Sequence, residues 1–281
     1  MKGILAGEGF ADRAGVFLRA GLDLRSIWDP SAPPPGGAEF AAISLPPKAA
    51  GKAALTALRS GLHVLCSPPF CVSTAELEEL REAAGTAGRT IFPLQPWEKA
   101  PALRGLEKAL DDRLAGEIDY VSIKAAYEGA AAEPELWQVF SLLLCTARRP
   151  PAAIEARMPE GGPMAFHVHF PGADGFAHVS RGEESPWLSI RLSGKAGRIE
   201  TDGRSIRLDV KGVGSRTVEF QGGLEPGRTR HEWLAAELAD FRAEADGELP
   251  RGSGLRNARY CVKLLRNAAY SASVRSAAVP L

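Results

Sequence analysis

The segment Gly61-Leu-His-Val-Leu-Cys-Ser-Pro-Pro69 decides the fold of this 281-residue chain and constrains its chemistry. Its apolar run, Leu62–Cys66, has the length and composition of a buried β-strand. A proline has neither an ionisable group nor a backbone N–H, so Pro68 can neither polarise a carbonyl nor move a proton. The segment therefore predicts a buried strand whose end lacks a strong acid–base group.

Strand-like and helical patterns alternate around this segment through the first third of the chain. The strand-like runs are Gly3–Ala6, Leu24–Trp28, Ala41–Leu45, Leu62–Cys66 and Thr90–Leu94, and the helical patterns are Ala11–Ala20, Lys48–Ser60 and Thr74–Ala87. Such alternation predicts βαβ units and a parallel sheet. The eleven residues 30–40, which join the second and third strands, are rich in proline and cannot hold a helix of useful length.

Around Gly116 the pattern changes to longer alternating strands separated by tight turns, from 119–127 through 164–210. This alternation predicts a mostly antiparallel sheet. We therefore expect two domains, residues 1–117 and residues 118–281.

Two helical patterns, 232–245 and 255–272, close the chain. Ser253 is suited to be the N-cap of the second helix. We expect the C-terminal helix to pack back on the N-terminal domain.

The alternating region predicts a hairpin over 165–181 with its turn at 171–175, which places His167, His169 and His178 on one face. Three imidazoles can bind a transition metal. The alternative is an exposed histidine cluster or one at a subunit interface. We favour this alternative and predict no metal in the functional site.

The charge and composition of the chain limit the classes of partner that it can bind. Lys plus Arg and Asp plus Glu both total 34, so no overall basic field attracts nucleic acid or an anionic membrane. The N-terminal apolar run is too short for a signal peptide, and no apolar run has the length of a membrane span. The four cysteines form no Cys-x-x-Cys pair, which suits reduced thiols in the cytoplasm. We expect a small-molecule substrate as the partner.

Four segments together resemble the Gfo/Idh/MocA family of NAD(P)-dependent oxidoreductases. Residues 61–69 are similar to its Gly-Lys-His-Val-Leu-Cys-Glu-Lys-Pro segment, and Leu94–Pro101 to its His-Asn-Trp-Arg-x-x-Pro segment. Ser193–Glu200 resembles its Gly-x-x-Gly-x-Ile-Glu strand pair, and residues 269–281 its final helix and strand. The resemblance implies an α/β fold: a Rossmann-like N-terminal domain shortened by one βα unit, and a C-terminal α+β domain with a large sheet. It also implies a homo-oligomer formed through the open face of that sheet.

The resemblance implies a cofactor site after the first strand. Gly7-Glu-Gly-Phe-Ala-Asp12 keeps the first two glycines of a Gly-x-Gly-x-x-Gly loop and has aspartate in place of the third. Asp29 follows about 20 residues later, where an acidic residue holds the ribose and favours NAD over NADP. The alternative is an ordinary turn at Asp29-Pro30. The expected cofactor is NAD, with NADP possible, and its binding residues are Gly7, Gly9, Phe10, Asp29, Pro46 and Pro47.

At the catalytic positions the chain departs from the family. Pro68 stands where the resemblance implies a lysine beside the nicotinamide, and Gln138, within Leu136-Trp-Gln-Val-Phe140, stands where it implies a histidine. Glutamine exchanges hydrogen bonds but does not shuttle protons near neutral pH. We assign Gln138 the orientation of substrate, and Lys99 with Glu98 a replacement donor or base, the alternative being a solvated loop pair.

Two classes of function remain open. The first is an NAD(P)-dependent oxidoreductase that acts on a sugar-like or cyclic alcohol or carbonyl, or on an imine, with a degenerate active site. The second is a catalytically inactive family member that binds a small ligand or a partner protein. The two classes differ in whether the chain binds a dinucleotide and turns it over.

Overall fold

The computed structural model describes the chain in three stretches, residues 1–128, 133–182 and 185–281. No helix within these stretches is long and apolar enough to cross a membrane.

The chain forms two compact units. Unit 1 contains residues 1–96 and 230–262, and unit 2 contains residues 97–229 and 263–281. Unit 1 is thus discontinuous in sequence. The division at residue 117 stays a prediction.

Unit 1 is built on a parallel sheet of five strands in the order β2-β1-β3-β4-β5, and the structure describes all of its residues. The strands are β1 Lys2–Ala6, β2 Asp23–Ile27, β3 Phe40–Ile43, β4 His63–Cys66 and β5 Ile91–Pro93. Residues 28–39, all described, contain neither helix nor strand. The predicted parallel sheet and the shortened connection are confirmed.

Helices cover this sheet. They are a 3₁₀ turn Ala11–Arg13, α1 Ala14–Arg19, α2 Pro47–Arg59, α3 Thr74–Ala87 and α6 His231–Asp246; α7, Ala258–Ser273, begins in unit 1 and ends in unit 2. The start of α3 is fixed by its N-cap, because the Ser73 hydroxyl accepts the backbone N–H of Glu76 at 3.1 Å. The end of α3 is set by Gly88, whose φ of 63° is left-handed.

The core of unit 1 depends on α6, which comes from the far end of the sequence. Its Phe241 is fully buried and meets Phe40 of β3 and Phe92 of β5 edge-on, each at a ring-centroid distance of 5.8 Å. Edge-to-face pairs at this distance add to the hydrophobic gain of burial. The sheet and α6 therefore share one core.

A buried carboxylate also anchors α6. Glu244 is 0 % exposed and accepts hydrogen bonds from Thr90 Oγ1 at 2.8 Å, from the Gly252 N–H at 2.9 Å and from the Ser253 hydroxyl. The prediction that Ser253 caps the last helix is wrong: its hydroxyl binds Glu244, and α7 begins only at Ala258.

Unit 2 contains a mixed sheet with the order β13-β12-β11-β10-β6-β9-β8-β7-β14 among its described residues. The strands are β6 Ile118–Tyr127, β7 Ala153–Arg157, β8 Met164–Phe170, β9 Ala173–Arg181, β10 Trp187–Gly194, β11 Gly197–Thr201, β12 Ser205–Val210, β13 Gly214–Glu219 and β14 Val279–Pro280. In this order only β6 and β9 pair in parallel. The predicted mostly antiparallel sheet is confirmed. Unit 2 also contains α4 Pro101–Asp111, α5 Glu133–Ala147 and the C-terminal part of α7, and a 3₁₀ turn, Pro96–Lys99, leads into it.

The β8–β9 hairpin turns earlier than predicted. Phe170 pairs with Ala173, so the loop has two residues, Pro171 and Gly172, and the predicted turn at 171–175 is wrong. Gly172 has the positive φ, 73°, that such a tight turn requires. The predicted histidine face is confirmed, because His167 and His169 on β8 and His178 on β9 each alternate with buried residues.

Candidate functional site

Unit 1 has a topological switch point between β1 and β3. From β1 the chain runs to β2 on one side of the sheet, while β3, β4 and β5 extend on the other side. In open parallel sheets, ligands bind in the crevice at the carboxyl ends of the strands at such a point. The segments that border this crevice are the Gly7–Asp12 loop, after β1, and residues 44–47, after β3.

The two segments pack so closely that glycine is required. Gly7 has a φ of +88°, and a Cβ at this position would collide with the carbonyl oxygen of Ser44. A Cβ on Gly9 would collide with the Ser44 hydroxyl. The Ser44 N–H in turn donates to the carbonyl of Ala6 at 2.9 Å. A loop backbone without side chains is what a dinucleotide pyrophosphate needs, so these two positions fit the expected cofactor.

The α-helix that follows Gly7 and Gly9 is shorter than the sequence predicts. The predicted helix 11–20 is a 3₁₀ turn followed by six residues of α-helix. Phe10 is only 2 % exposed, and its ring lies 5.5 Å from that of Phe17. The Phe10 side chain therefore anchors the loop in the core. Asp12 is exposed, with its Oδ1 4.0 Å from Arg13 Nε.

Asp29 lies just beyond the carboxyl end of β2, and its side chain is exposed. Its Oδ1 accepts the backbone N–H of Ser31 at 2.9 Å, and its carbonyl accepts the N–H of Ala32 at 3.0 Å. The hydrogen bonds from Ser31 hold the pKa of Asp29 below its ordinary value, so the carboxylate is charged at neutral pH. The turn at Asp29-Pro30, the alternative given by the sequence, is therefore present. It places the charged carboxylate of Asp29 at this edge of the sheet.

Pro46 and Pro47 begin α2 directly after β3. Pro46 is the N-cap residue, and its carbonyl accepts the N–H groups of Ala49 and Ala50, both at 2.9 Å. Pro47 occupies the first helical turn, where a missing N–H costs no hydrogen bond. Both prolines therefore lie at the same edge as the glycine loop.

Pro68 is half-buried at the carboxyl end of β4. The strand alignment continues into this segment, because the Ser67 N–H donates to the carbonyl of Ile43 at 2.9 Å. The neighbouring Cys66 is fully buried, and burial raises the pKa of its thiol far above the ordinary value. Residues 66–69 therefore bring no group that exchanges protons near neutral pH.

Gln138 is buried in unit 2, at 7 % exposure on α5. Its Oε1 accepts a hydrogen bond from the Tyr127 hydroxyl at 3.1 Å, and that hydroxyl also lies 3.3 Å from the carbonyl of Glu135. Burial raises the pKa of Tyr127, so the phenol stays protonated. Tyr127 is not among the residues predicted from the sequence, because no local pattern pairs a residue at the end of a strand with one eleven positions later on a helix.

Lys99 and Glu98 end the 3₁₀ turn Pro96–Lys99 and are half-buried. Glu98 lines a small cavity in unit 2 together with Trp97, Ser141 and Cys145. In the described part of the chain the Trp97 Nε1 is buried without a hydrogen-bond partner. Lys99 does not line this cavity.

His63 is a structural residue of unit 1. It is 4 % exposed in β4, where the Thr90 N–H donates to its Nδ1 at 3.2 Å and Arg89 Nη1 lies 3.0 Å from its Nε2. Burial, together with the charge of Arg89, lowers the pKa of His63 to about 4. The ring is therefore neutral at physiological pH.

Comparison with known proteins shows similarity at the level of structure. No family model and no curated protein matches the sequence. An oxidoreductase from Pseudomonas syringae aligns with a TM-score of 0.82 at 14% identity, covering 100% of this chain and 98% of that one. Levoglucosan dehydrogenase in complex with NADH and L-sorbose aligns with a TM-score of 0.80, also at 14% identity and with coverages of 100% and 98%.

An inositol dehydrogenase homologue from Azotobacter vinelandii, complexed with NADH and myo-inositol, aligns with a TM-score of 0.75 at 14% identity, covering 100% of this chain and 97% of the other. The structure neighbours are thus oxidoreductases, among them a levoglucosan dehydrogenase and an inositol dehydrogenase homologue. At this identity the similarity establishes the shared fold and confirms the predicted fold class.

Proposed function

We propose that the chain is an NAD(P)-dependent oxidoreductase of Gfo/Idh/MocA type with a degenerate active site. Its substrate class is a sugar-like or cyclic alcohol or carbonyl, or an imine, and its expected compartment is the cytoplasm. The observation that carries the proposal is the crevice between β1 and β3, where Gly7 and Gly9 pack against Ser44 without room for a side chain. The NADH complexes of the structurally similar dehydrogenases support it.

The residues around the crevice have distinct roles in this proposal. The backbone from Gly7 to Phe10 holds the pyrophosphate, while Pro46 and Pro47 border the nicotinamide. The charged carboxylate of Asp29 accepts hydrogen bonds from the ribose hydroxyls and repels a 2′-phosphate, which favours NAD over NADP. When bound, NAD supplies the hydride chemistry that the side chains of the protein lack.

The missing acid–base groups limit the reaction. General acid–base assistance contributes roughly 10²–10⁴-fold in rate, and neither Pro68 nor Gln138 can give it. Oxidation of an alcohol, which must lose a proton, is therefore slow. An imine substrate depends less on such a group, because its nitrogen can take the proton from water as hydride reaches its carbon. Lys99 remains the candidate for a replacement donor.

A second candidate function is binding of a small ligand or partner protein without turnover. The hydrogen bonding of Gln138 favours this second function, because the glutamine is buried and its Oε1 already accepts a hydrogen bond from Tyr127. An assay with saturating NAD⁺ or NADH and a panel of polyols, sugar lactones and cyclic imines separates the two. Turnover of any member supports the oxidoreductase, whereas cofactor binding without turnover supports the second candidate.

We place the homo-oligomer contact on the open face of the unit 2 sheet. Phe176 on β9 is 37 % exposed and Trp187 on β10 is 43 % exposed. The strand registers put both side chains on the same face, one to each side of β6. Light scattering after size exclusion tests the contact: we expect twice the chain mass, and a shift to the chain mass on Trp187→Lys.

Titration with NADH and NADPH, followed by nicotinamide fluorescence and by calorimetry, tests cofactor binding. We expect micromolar affinity for NADH and weaker binding of NADPH. Asp29→Ala should weaken NADH binding about tenfold or more, as expected when hydrogen bonds to a charged group are lost. Asp23→Ala is the matched control, because Asp23 lies at the other end of the same strand. Absence of binding at millimolar NADH, or equal effects of the two substitutions, would overturn the assignment.

A further inference from the structure

Four titratable side chains meet on the open face of the unit 2 sheet, outside the proposed cofactor crevice. His167 and His169 are two positions apart on β8, so both project from the same face. Glu155 on β7 lies directly across from His167, and Asp174 on β9 lies directly across from His169. The three strands are hydrogen-bonded neighbours, and this fixes the backbone positions of all four residues.

The side chains contact each other diagonally. His169 Nε2 is 2.9 Å from Glu155 Oε1, and His167 Nε2 is 2.7 Å from Asp174 Oδ1. His169 Nδ1 lies 3.5 Å from the same Asp174 oxygen, and the two imidazole rings have their centroids 3.9 Å apart. Glu155, His167 and His169 each offer a ligand atom within 4.8 Å of the others.

We propose that Glu155, His167 and His169 form a binding site for a divalent transition-metal ion, Zn²⁺ in particular, with Asp174 next to the ion. Two imidazoles and a carboxylate are a donor set that Zn²⁺ accepts, whereas Mg²⁺ and Ca²⁺ prefer oxygen ligands alone. Bonds of about 2.1 Å in a tetrahedral site place ligand atoms about 3.4 Å apart. The donor atoms of the three residues lie within 4.8 Å of one another, so they are at most about 1.4 Å further apart than in such a site.

The surroundings prepare the cluster for an ion. The His167 ring stacks on Phe176 at a centroid distance of 4.2 Å and an interplanar angle of 14°, which restrains its orientation. The two carboxylates beside the imidazoles contribute negative charge that a dication offsets. A cavity of about 420 Å³, lined by Glu155 and His167 among others, lies beside the cluster and leaves room for a water ligand.

The same cluster without a metal would be two histidine–carboxylate pairs on the sheet surface. Such exposed pairs contribute little to stability and have no preference for one cation. Metal selectivity therefore distinguishes the two interpretations.

Calorimetric titration of tag-free, EDTA-treated protein with ZnCl₂, and thermal unfolding with and without ZnCl₂, test the proposal. We expect one Zn²⁺ per chain and a higher melting temperature with Zn²⁺, because an ion that binds the folded state stabilises it. MgCl₂ should give neither effect. Absence of Zn²⁺ binding at 100-fold excess of ion over protein, or equal effects of both cations, would overturn the site.

Substitutions assign the ligands. His167→Ala, His169→Ala and the isosteric Glu155→Gln should each abolish the Zn²⁺-dependent rise in melting temperature. His178→Ala is the matched control: His178 is a third histidine on this face, paired across the strands with Ala165, and its loss should leave Zn²⁺ binding unchanged. If Zn²⁺ still binds to folded Glu155→Gln and His169→Ala as to the wild type, the cluster is not the site.

Discussion

The carboxyl edge of the unit 1 sheet and Gln138 of unit 2 occupy positions for which the family resemblance implies function, yet different kinds of contact hold them in place. At the edge, Gly7 and Ser44 meet through backbone atoms, and this packing together with the positive φ of Gly7 requires the glycine. In unit 2, Gln138 is a side chain whose partner is another side chain. Contacts between backbone atoms are kept as long as the fold is kept. A side chain such as that of Gln138, in contrast, can serve the packing of the protein instead of its chemistry.

Because of this difference, the three residues at the carboxyl edge of the unit 1 sheet are not equally informative about cofactor binding. Gly7 has a left-handed φ and touches a carbonyl oxygen, so the fold needs it even without a cofactor. A Cβ on Gly9 would meet only side-chain atoms of Ser44, and Asp29 is exposed, so the backbone does not require either residue in the same way. Gly9 and Asp29 therefore carry more information about the cofactor than Gly7 does.

The largest expected loss of stability comes from Gly7→Ala, and Gly37→Ala is its matched control. Packing and backbone angle both require Gly7, whereas backbone angle alone requires Gly37. Gly7→Ala combines a positive φ with a collision against backbone, and should lower the free energy of unfolding by about 3 kcal/mol or more. Gly37 has a similar φ, +81°, but nothing within 4 Å of its added Cβ, so Gly37→Ala should cost only about 1 kcal/mol. Urea unfolding measures both. Equal losses would show that packing on Ser44 does not constrain the loop.

A second prediction concerns the opposite edge of the sheet, where His63 begins β4. Its pKa in the folded state is about 4, below the ordinary 6.5, so the unfolded chain binds a proton between these values and the folded one does not. Stability is therefore full above pH 6.5 and falls as the pH drops to 4, by at most about 3 kcal/mol. Urea unfolding from pH 4 to pH 8 should show this slope, and His63→Gln should flatten it. An unchanged slope in the variant would assign the effect to other groups.

The third prediction tests Gly9 without the uncertainty of misfolding. Gly9→Ala with Ser44→Gly removes the side chain that the new Cβ would meet, so the double variant should unfold like Ser44→Gly alone. Its NADH affinity should nevertheless fall about tenfold or more, because the added methyl stands where a pyrophosphate must approach. Calorimetry on the single and double variants measures this. Wild-type affinity in the double variant would mean that Gly9 serves only packing.

The smallest effect probes the side-chain pair. Tyr127→Phe removes the hydroxyl that donates to Gln138 Oε1 in a buried site and should destabilise the protein by about 1–2 kcal/mol. Tyr270→Phe is the control, because Tyr270 is 59 % exposed and should change stability by less than about 0.5 kcal/mol. If Tyr127→Phe left the stability unchanged, Gln138 would not have the structural role assigned to it.

Much of the fold could be predicted from local patterns. The runs that became β1 to β5 are short, and helical periodicity separates all of them except β2 and β3, whose irregular 28–39 connection follows from its prolines. The alternation of His167 and His169 with buried Phe166 and Val168 follows from the two-residue period of a strand.

Contacts between distant parts of the sequence could not be predicted in this way. Nothing near Phe241 or Glu244 indicates that α6 joins the core of unit 1, because their partners Phe92 and Thr90 lie about 150 residues earlier. Ser253 has the sequence signature of an N-cap, but a buried carboxylate nearby takes its hydroxyl. Tertiary partners override local preferences where a buried polar group needs satisfaction.

Hydrogen–deuterium exchange of the wild-type protein with and without saturating NADH tests the central claim most directly, because it locates binding without assuming any residue's role. The account predicts that amides in 7–13 and 44–50 exchange more slowly with NADH, while those of β7 and β8 do not change. Unchanged exchange in both loops, or protection confined to other segments, would contradict a cofactor site between β1 and β3.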